Sequence, residues 1–247
     1  MLVTKNLTKK FVNQMAVNNL SLNIQPGEIL CLLGSNGAGK STTLNLILSF
    51  IEADSGEIFV DGNKIDISKQ TSVVEARKKI AYLPEQVNLY EQFNAIENLE
   101  YLTQLSEINT SKEEIKQALG QTGLYEKAWA QPLKQYSKGM KQKVGIAFSV
   151  LRKAKLLLLD EPTSGLDLTA TNEFIQLVKT LANQDTAVLL VTHDLYCAEK
   201  LATHIAIIDN GTVVDSLIAD DLSQGELQKR YLDVIGVNSK PSHQVLN

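Results

Sequence analysis

The sequence predicts an α/β fold. It has a mostly parallel sheet flanked by helices, a small antiparallel β subdomain beside it and a helical subdomain inserted into it. Three observations predict this. Short, largely apolar runs of strand length, Ile29–Leu33, Leu156–Leu159 and Thr186–Thr192, read as strands buried on both faces. The first of them runs straight into a glycine-rich loop and then a helical stretch, Thr42–Leu48. Between Asn94 and Arg152 the pattern changes to helical spacing.

The elements follow in order. Leu20, Leu22 and Ile24 alternate with Ser21, Asn23 and Gln25, the period of a half-exposed strand, and Pro26-Gly27 turns the chain. Ahead of it, Phe11 follows Lys9-Lys10. Its spacing fits either an aromatic that stacks on a planar ring such as adenine or one that packs in a core.

After Leu33 comes Gly34-Ser35-Asn36-Gly37-Ala38-Gly39-Lys40-Ser41, which fits G-x-x-x-x-G-K-[ST] at every fixed position. A triphosphate tail carries dense negative charge, and backbone N–H groups surround it only where side chains do not intrude. Gly34, Gly37 and Gly39 keep that space open and allow positive φ. A helix starting near Lys40 adds free N–H groups and its positive end. Lys40 is expected to reach the β- and γ-phosphates and Ser41 to ligate Mg²⁺. Residues Gly34 to Thr42 are thus the expected nucleotide contacts, and the core is of the phosphate-loop NTPase kind.

Ser55-Gly56 breaks the chain, and Glu57–Val60 and Lys64-Ile65 flank Asp61-Gly62 as a hairpin. With the early strands this predicts the antiparallel sheet. Ile80–Leu83 is a strand stopped by Pro84. In the helical region, Asn94 with Glu97 and Ser111 with Glu114 form capping boxes. Ile96, Leu99 and Leu102 recur at helical spacing, and Trp129 reads as packing. Ser137 is placed as the N-cap of a helix through Val144, Ala147, Phe148 and Leu151. That N-terminus suits a phosphate, although an ordinary capped helix has the same local sequence.

Leu156–Leu159 ends in Asp160-Glu161, and carboxylates at the carboxyl end of a buried strand lie where open α/β sheets bind ligands. Asp160 is expected to hold Mg²⁺ and Glu161 to orient or deprotonate the attacking water. Pro162–Asp167 is a turn, and Phe174, Leu177, Val178 and Leu181 mark the next amphipathic helix. The last buried strand ends at His193-Asp194, where a histidine could hydrogen-bond a terminal phosphate or be structural. Asn210-Gly211 between Ile205–Ile208 and Thr212–Val214 is a hairpin turn. A short helix is expected past Ser223, and a polar, loosely ordered tail from Val237.

The 247 residues fit one large domain or a core plus a subdomain, and 44% hydrophobic with 21% charged residues supports a sizeable core. The expected division is a catalytic domain over 1–218, with core 1–85 and 154–218 and a helical subdomain at about 86–153, followed by 219–247. A net charge of −4 argues against a sequence-independent nucleic-acid binder. Cys31 and Cys197 lie far apart in apolar or helical contexts, so two buried thiols are expected rather than a disulfide or metal pair. The N-terminus lacks the apolar core of a signal peptide, and no run is long enough to cross a bilayer. The expectation is a cytosolic protein; work at a membrane requires another chain to supply the membrane part.

From Met1 to Leu217 the sequence resembles the ATP-binding subunit of ABC transporters. The resemblance is carried by the ordered set Gly34–Ser41, Tyr136–Met140, Leu156–Glu161, Ser164–Asp167 and His193. Tyr82–Glu85 and Tyr136–Lys143 are similar to the type-2 exporter branch. The resemblance implies an ATPase that uses ATP and Mg²⁺, forms a dimer (a homodimer, given the complete motif set) and powers a separate integral membrane permease subunit. Its place would be the cytoplasmic face of the cell membrane. It implies that Phe11 stacks on adenine and that Ser137, Lys138 and Gly139 meet the γ-phosphate held by the opposite subunit. It also implies that Ser164–Asp167 cross between subunits and that His193 is the switch histidine. Two departures stand out: Lys138 replaces the signature's usual first glycine and Met140 its usual glutamine. The glutamine that usually senses Mg²⁺ aligns with Glu85, with Gln86 its neighbour, which leaves open which of the two faces the metal. Two other readings are a soluble ATPase of the same family, such as one in cluster assembly, and a binding module that uses ATP as a switch.

Overall fold

The computed structural model describes residues 1–238. Strands β1 (Leu2–Phe11) and β2 (Gln14–Ile24) pair antiparallel. Leu20, Leu22 and Ile24 are buried and Ser21 and Asn23 exposed, the expected period of two. Strand β3 (Ile29–Leu33) is buried at every position and leads through the glycine loop into α1 (Lys40–Ile47). Strands β4 (Ser55–Val60) and β5 (Asn63–Lys64) turn at Asp61-Gly62, with φ of 53° and 76°. They complete the antiparallel sheet in the order β2-β1-β4-β5.

The main sheet adds β6 (Ile80–Leu83), β7 (Leu156–Asp160), β8 (Ala187–Thr192), β9 (His204–Asp209) and β10 (Thr212–Ile218). Its order is β10-β9-β3-β8-β7-β6, parallel throughout except for β10. Asn210 and Gly211 both take positive φ, 47° and 79°, as the expected hairpin requires. The register sets Leu33 beside Thr192 and Asp160 beside Val191. The glycine loop, the acidic pair and His193 therefore leave the sheet at one edge, its carboxyl edge.

Alternation along the strands divides the core into two layers. Cys31, Leu33, Leu157, Leu159, Val188 and Leu190 face α7 (Leu168–Ala182) and α8 (Leu195–Leu201). Leu30, Leu32, Leu156, Leu158, Leu189 and Val191 face α1 and the antiparallel sheet. Both cysteines are free and buried, as expected. Burial pushes their thiols up, Cys31 well above the usual thiol range and Cys197 to about 12.

Two helices depart from the sequence reading. Helix α2 (Gln70–Lys78) was not foreseen: it buries no residue fully, and Ala76 packs only partly against the core. It is tied down by Arg77, which donates to the Leu48 and Ser49 carbonyls at 2.9 and 3.0 Å, where α1 ends. Helix α3 (Ala95–Leu105) buries Leu99 and packs Ile96 partly against the core as expected, but its fully buried face also takes in Ala95, Asn98 and Thr103. Asn98 is satisfied there. Its amide accepts from Tyr90 N at 2.8 Å and donates to the Tyr90 and Asn94 carbonyls at 3.0 and 2.9 Å.

Both capping boxes form, on α3 and on α4 (Lys112–Gln121). With the short α5 (Glu126–Trp129) and α6 (Lys138–Leu151) these helices share a third core containing Leu99, Ile115, Leu119, Val144 and Ala147. The helix past Ser223 is α9 (Glu226–Asn238). The tail expected to be loose from Val237 begins inside this helix, and its remainder lies outside the described residues. Among the described residues no helix is long and apolar enough to cross a membrane.

Candidate functional site

The loop between β3 and α1 is shaped by close approach as much as by dihedral freedom. Gly39 has φ 107°, and a Cβ there would sit 2.2 Å from the Ala16 carbonyl oxygen, so no other residue fits. Gly34 needs no positive φ, contrary to the sequence reading; its Cβ would meet the Ile208 carbonyl oxygen at 2.4 Å. The β9–β10 hairpin braces the loop from the side, with Gly211 N donating to Ala38 O at 2.9 Å.

Lys40 is 5% exposed. Its ammonium donates to the Gly34 and Ser35 carbonyls at 2.8 and 3.1 Å and lies 3.4 Å from Glu161 Oε1. Beside it opens a cavity of about 350 Å³. Phe11, Asn36, Gly37, Gly39, Lys40, Ser41, Thr42, Glu85, Asp160 and Glu161 line it, all of them foreseen from the sequence. Phe11 is exposed there rather than packed in a core. Of the two candidates at this position, Glu85 lines the cavity and Gln86 does not. Gly34, Ser35 and Ala38 shape the loop without lining the cavity. Gln14 and Ala16 line it and were missed. The only sequence signal was that Gln14 pairs with Phe11 across the β1–β2 turn, which needs the register to be known.

Asp160 and Glu161 differ in environment. Burial raises the Asp160 carboxyl, opposed by hydrogen bonds from Tyr82 at 3.2 Å and Ser41 at 3.4 Å; the Glu161 and Glu85 charges raise it further. Tyr82 is a third residue that the sequence reading left without a role in the site. Burial also pushes Glu161 up, but its partners outweigh that and leave it below the usual carboxylate range. His193 Nδ1 stands 3.0 Å from Oε1, and Thr192 Oγ1 donates to Oε2 at 2.9 Å. Glu161 itself has φ 44°, a left-handed backbone that costs roughly 1–3 kcal/mol in a non-glycine residue.

Ser137, Lys138, Gly139 and Asp167 do not line this cavity. Ser137 caps α6, accepting from Met140 N at 3.3 Å, and Asp167 caps α7, accepting from Ala170 N at 2.8 Å. Lys138 does not leave its charge free beside a phosphate: its ammonium donates to the Ser164 carbonyl at 2.6 Å.

Mg²⁺ on a nucleotide keeps waters and takes one or two carboxylates plus phosphate oxygens, and Ser41 and Asp160, 3.4 Å apart at the mouth of the loop, are of the kind that would supply the protein share.

The family model described as ABC transporter matches residues 17–164. A phosphonates import ATP-binding protein of Treponema denticola is 33% identical over 246 residues, 95% of this chain and 96% of that protein. A SkfA peptide export ATP-binding protein of Bacillus subtilis is 32% identical over 235 residues, 94% and 95% of the two. A solved dimeric structure of a bacterial ABC transporter cassette superposes with a TM-score of 0.79 at 28% identity, covering 89% of this chain and 99% of that one. A phosphate loop facing an acidic pair at the carboxyl edge of the sheet, together with these matches, makes this chain a member of the ABC transporter family, one of its ATP-binding ATPase subunits.

Proposed function

We propose that this ATPase works as a head-to-tail homodimer on Mg-ATP and drives a separate integral membrane permease from the cytoplasmic face of the membrane. One observation carries the dimer. The chain's phosphate cavity is lined by residues of the glycine loop and the acidic pair, while Ser137 and Gly139 stand apart at the N-terminus of α6. Two copies facing each other would bring each α6 N-terminus to the other's cavity, where its N–H groups suit a terminal phosphate. The dimeric relative supports this reading.

The chain's own residues divide the work. Lys40 exchanges its carbonyl partners for phosphate oxygens. Glu161, held ionised by its donors, accepts a proton from the attacking water, and His193 fixes the carboxylate that does so. Ser41 and Asp160 would hold Mg²⁺, which neutralises charge on the phosphates. Phe11 supplies a face for the adenine. The helical region 86–153 would move as a subdomain against 1–85 and 154–218, with 219–247 appended.

For the permease, the support is an exposed aromatic cluster next along the chain from Glu85. Tyr90 packs at 5.4 Å on Phe93 and edge-on at 5.0 Å on Tyr101. All three rings are substantially exposed, which marks a contact surface. Export as the direction is supported by the wording of Tyr82–Glu85 and Tyr136–Lys143 and by the peptide-export relative. The phosphonates import relative supports the opposite direction, so uptake against efflux in vesicles decides it.

The test of the dimer is sedimentation of Glu161→Gln with ATP and Mg²⁺. A species of twice the monomer mass is expected, and none with Lys40→Ala. A monomer at every ATP concentration would overturn the dimer. Co-purification of a polytopic membrane protein with the Glu161→Gln chain is expected as well, and recovery of soluble partners alone would overturn the permease.

A further inference from the structure

The turn that follows the catalytic carboxylate is tied from elsewhere by Gln142, which donates to the Pro162 carbonyl, by Thr163, which donates to Asp194 at 3.1 Å, and by two ties on Ser164. All three polar groups of Ser164 are engaged. Its N–H donates to the Glu161 carbonyl at 3.1 Å, its hydroxyl to Glu85 Oε1 at 3.0 Å, and its carbonyl accepts from the Lys138 ammonium at 2.6 Å. A second tight turn follows at once, Leu166 N to Thr163 O at 3.1 Å, with Gly165 at φ 69°. The segment starts from Glu161 in its left-handed conformation, so local backbone preference does not hold it; ties from elsewhere must. Glu85 comes from the loop just past β6 and Lys138 from the first turn of α6, 79 and 26 residues away in sequence. Both bonds have a charged partner, the stronger kind of hydrogen bond. These are also positions where the chain departs from the pattern it resembles. A glycine at 138 has no side chain to reach Ser164, and a glutamine at 85 keeps the acceptor without its charge.

We infer that Glu85 and Lys138 are a coupled pair of positioning residues, which grip Ser164 from its two ends and thereby hold the Glu161 carboxylate in place. Lys138 acts through Ser164 and not on a phosphate. The inference rests on the ATPase reading for the role of Glu161 and does not depend on the dimer.

Hydrogen exchange on the nucleotide-free chain tests it, read at residues 163–167. Lys138→Met and Glu85→Leu are each expected to speed exchange there about tenfold while the β7 and β8 amides keep their protection. The conservative Lys138→Arg and Glu85→Gln should stay near the parent. Because both grips act on one residue, the double variant Lys138→Met/Glu85→Leu should exchange far more slowly than the product of the two single effects. Ser164→Ala removes only the Glu85 grip, so it should match Glu85→Leu and gain nothing from adding it. In steady state Lys138→Met should lower kcat about tenfold and leave KM within about twofold, with Lys138→Arg restoring kcat. Parent-like exchange at 163–167 in Lys138→Met and Glu85→Leu, or simple multiplication of their effects, would overturn the inference. A rise in KM with kcat unchanged would do so too, by making Lys138 a nucleotide contact. A chain that passes the exchange test while Glu161→Gln fails to dimerise would keep this clasp and lose the dimer.

Discussion

Lys40 and Glu161 carry most of the proposed chemistry, and their surroundings set different consequences for losing them. Lys40 is buried against two carbonyls and Glu161, a set that phosphate oxygens can replace. Lys40→Ala removes charge-assisted bonds of about 1.5–3 kcal/mol, so nucleotide affinity should fall roughly 10- to 100-fold in a fluorescent-nucleotide titration. Glu161 meets the phosphate loop through the Lys40 ammonium, 3.4 Å from its Oε1. Glu161→Gln keeps the hydrogen-bonding shape and loses the base, so phosphate release should fall roughly 10²- to 10⁴-fold. Nucleotide affinity should barely change. Equal loss of affinity in both variants would show that the two roles have been misassigned. The cysteines make a simpler prediction. Both are buried with raised thiol pKa values, so at pH 8 a thiol reagent should leave the folded chain unlabelled and modify Cys31 and Cys197 together on unfolding.

At the scale of elements, the loop and the helical region fail differently. Gly39→Ala pushes a Cβ against the Ala16 carbonyl on β2, a backbone atom that cannot swing aside. That variant should lose nucleotide binding while the sheet, whose core lies elsewhere, still melts cooperatively; wild-type affinity in Gly39→Ala would contradict the geometry. Asn98 is fully buried and its amide makes three hydrogen bonds tying α3 to the segment before it. At about 1 kcal/mol per bond, Asn98→Ala should cost about 2–3 kcal/mol in urea unfolding. The same variant should loosen the Tyr90 segment first, visible as faster exchange there than at β7.

At the scale of the whole molecule, one parallel sheet gathers the loop, the acidic pair and His193 at its carboxyl edge. The antiparallel sheet adds Phe11, Gln14 and Ala16 to the same cavity. The aromatic cluster of Tyr90, Phe93 and Tyr101 belongs to the inserted helical region instead. Tyr90→Asp should therefore reduce recovery of a membrane partner several-fold in co-purification and leave nucleotide affinity as it was. Loss of ATP binding in that variant would mean the cluster supports the site and is not a docking face.

Much of this was legible in the sequence because the signals are local. A glycine loop between a buried strand and a helix, a carboxylate pair closing an apolar run, and Asn or Ser three residues ahead of Glu each depend on neighbours in the chain. Strand burial, both hairpins, both capping boxes and eight of the cavity's residues followed from such spacing, while Phe11 and Glu85 were assigned to the site by the family resemblance. Other features depend on contacts between distant segments. Helix α2 is pinned where Arg77 meets the end of α1, and α3 buries a polar residue because Asn98 reaches back to Tyr90. Gln14 and Ala16 enter the site through the register of β1 with β2, and Tyr82 through the order of strands in the sheet. Spacing could not choose between Glu85 and Gln86, nor show that Lys138 is turned onto Ser164. Side-chain direction is decided by what lies across the gap, and only the folded chain brings β6, α6 and the turn after Glu161 within hydrogen-bonding distance.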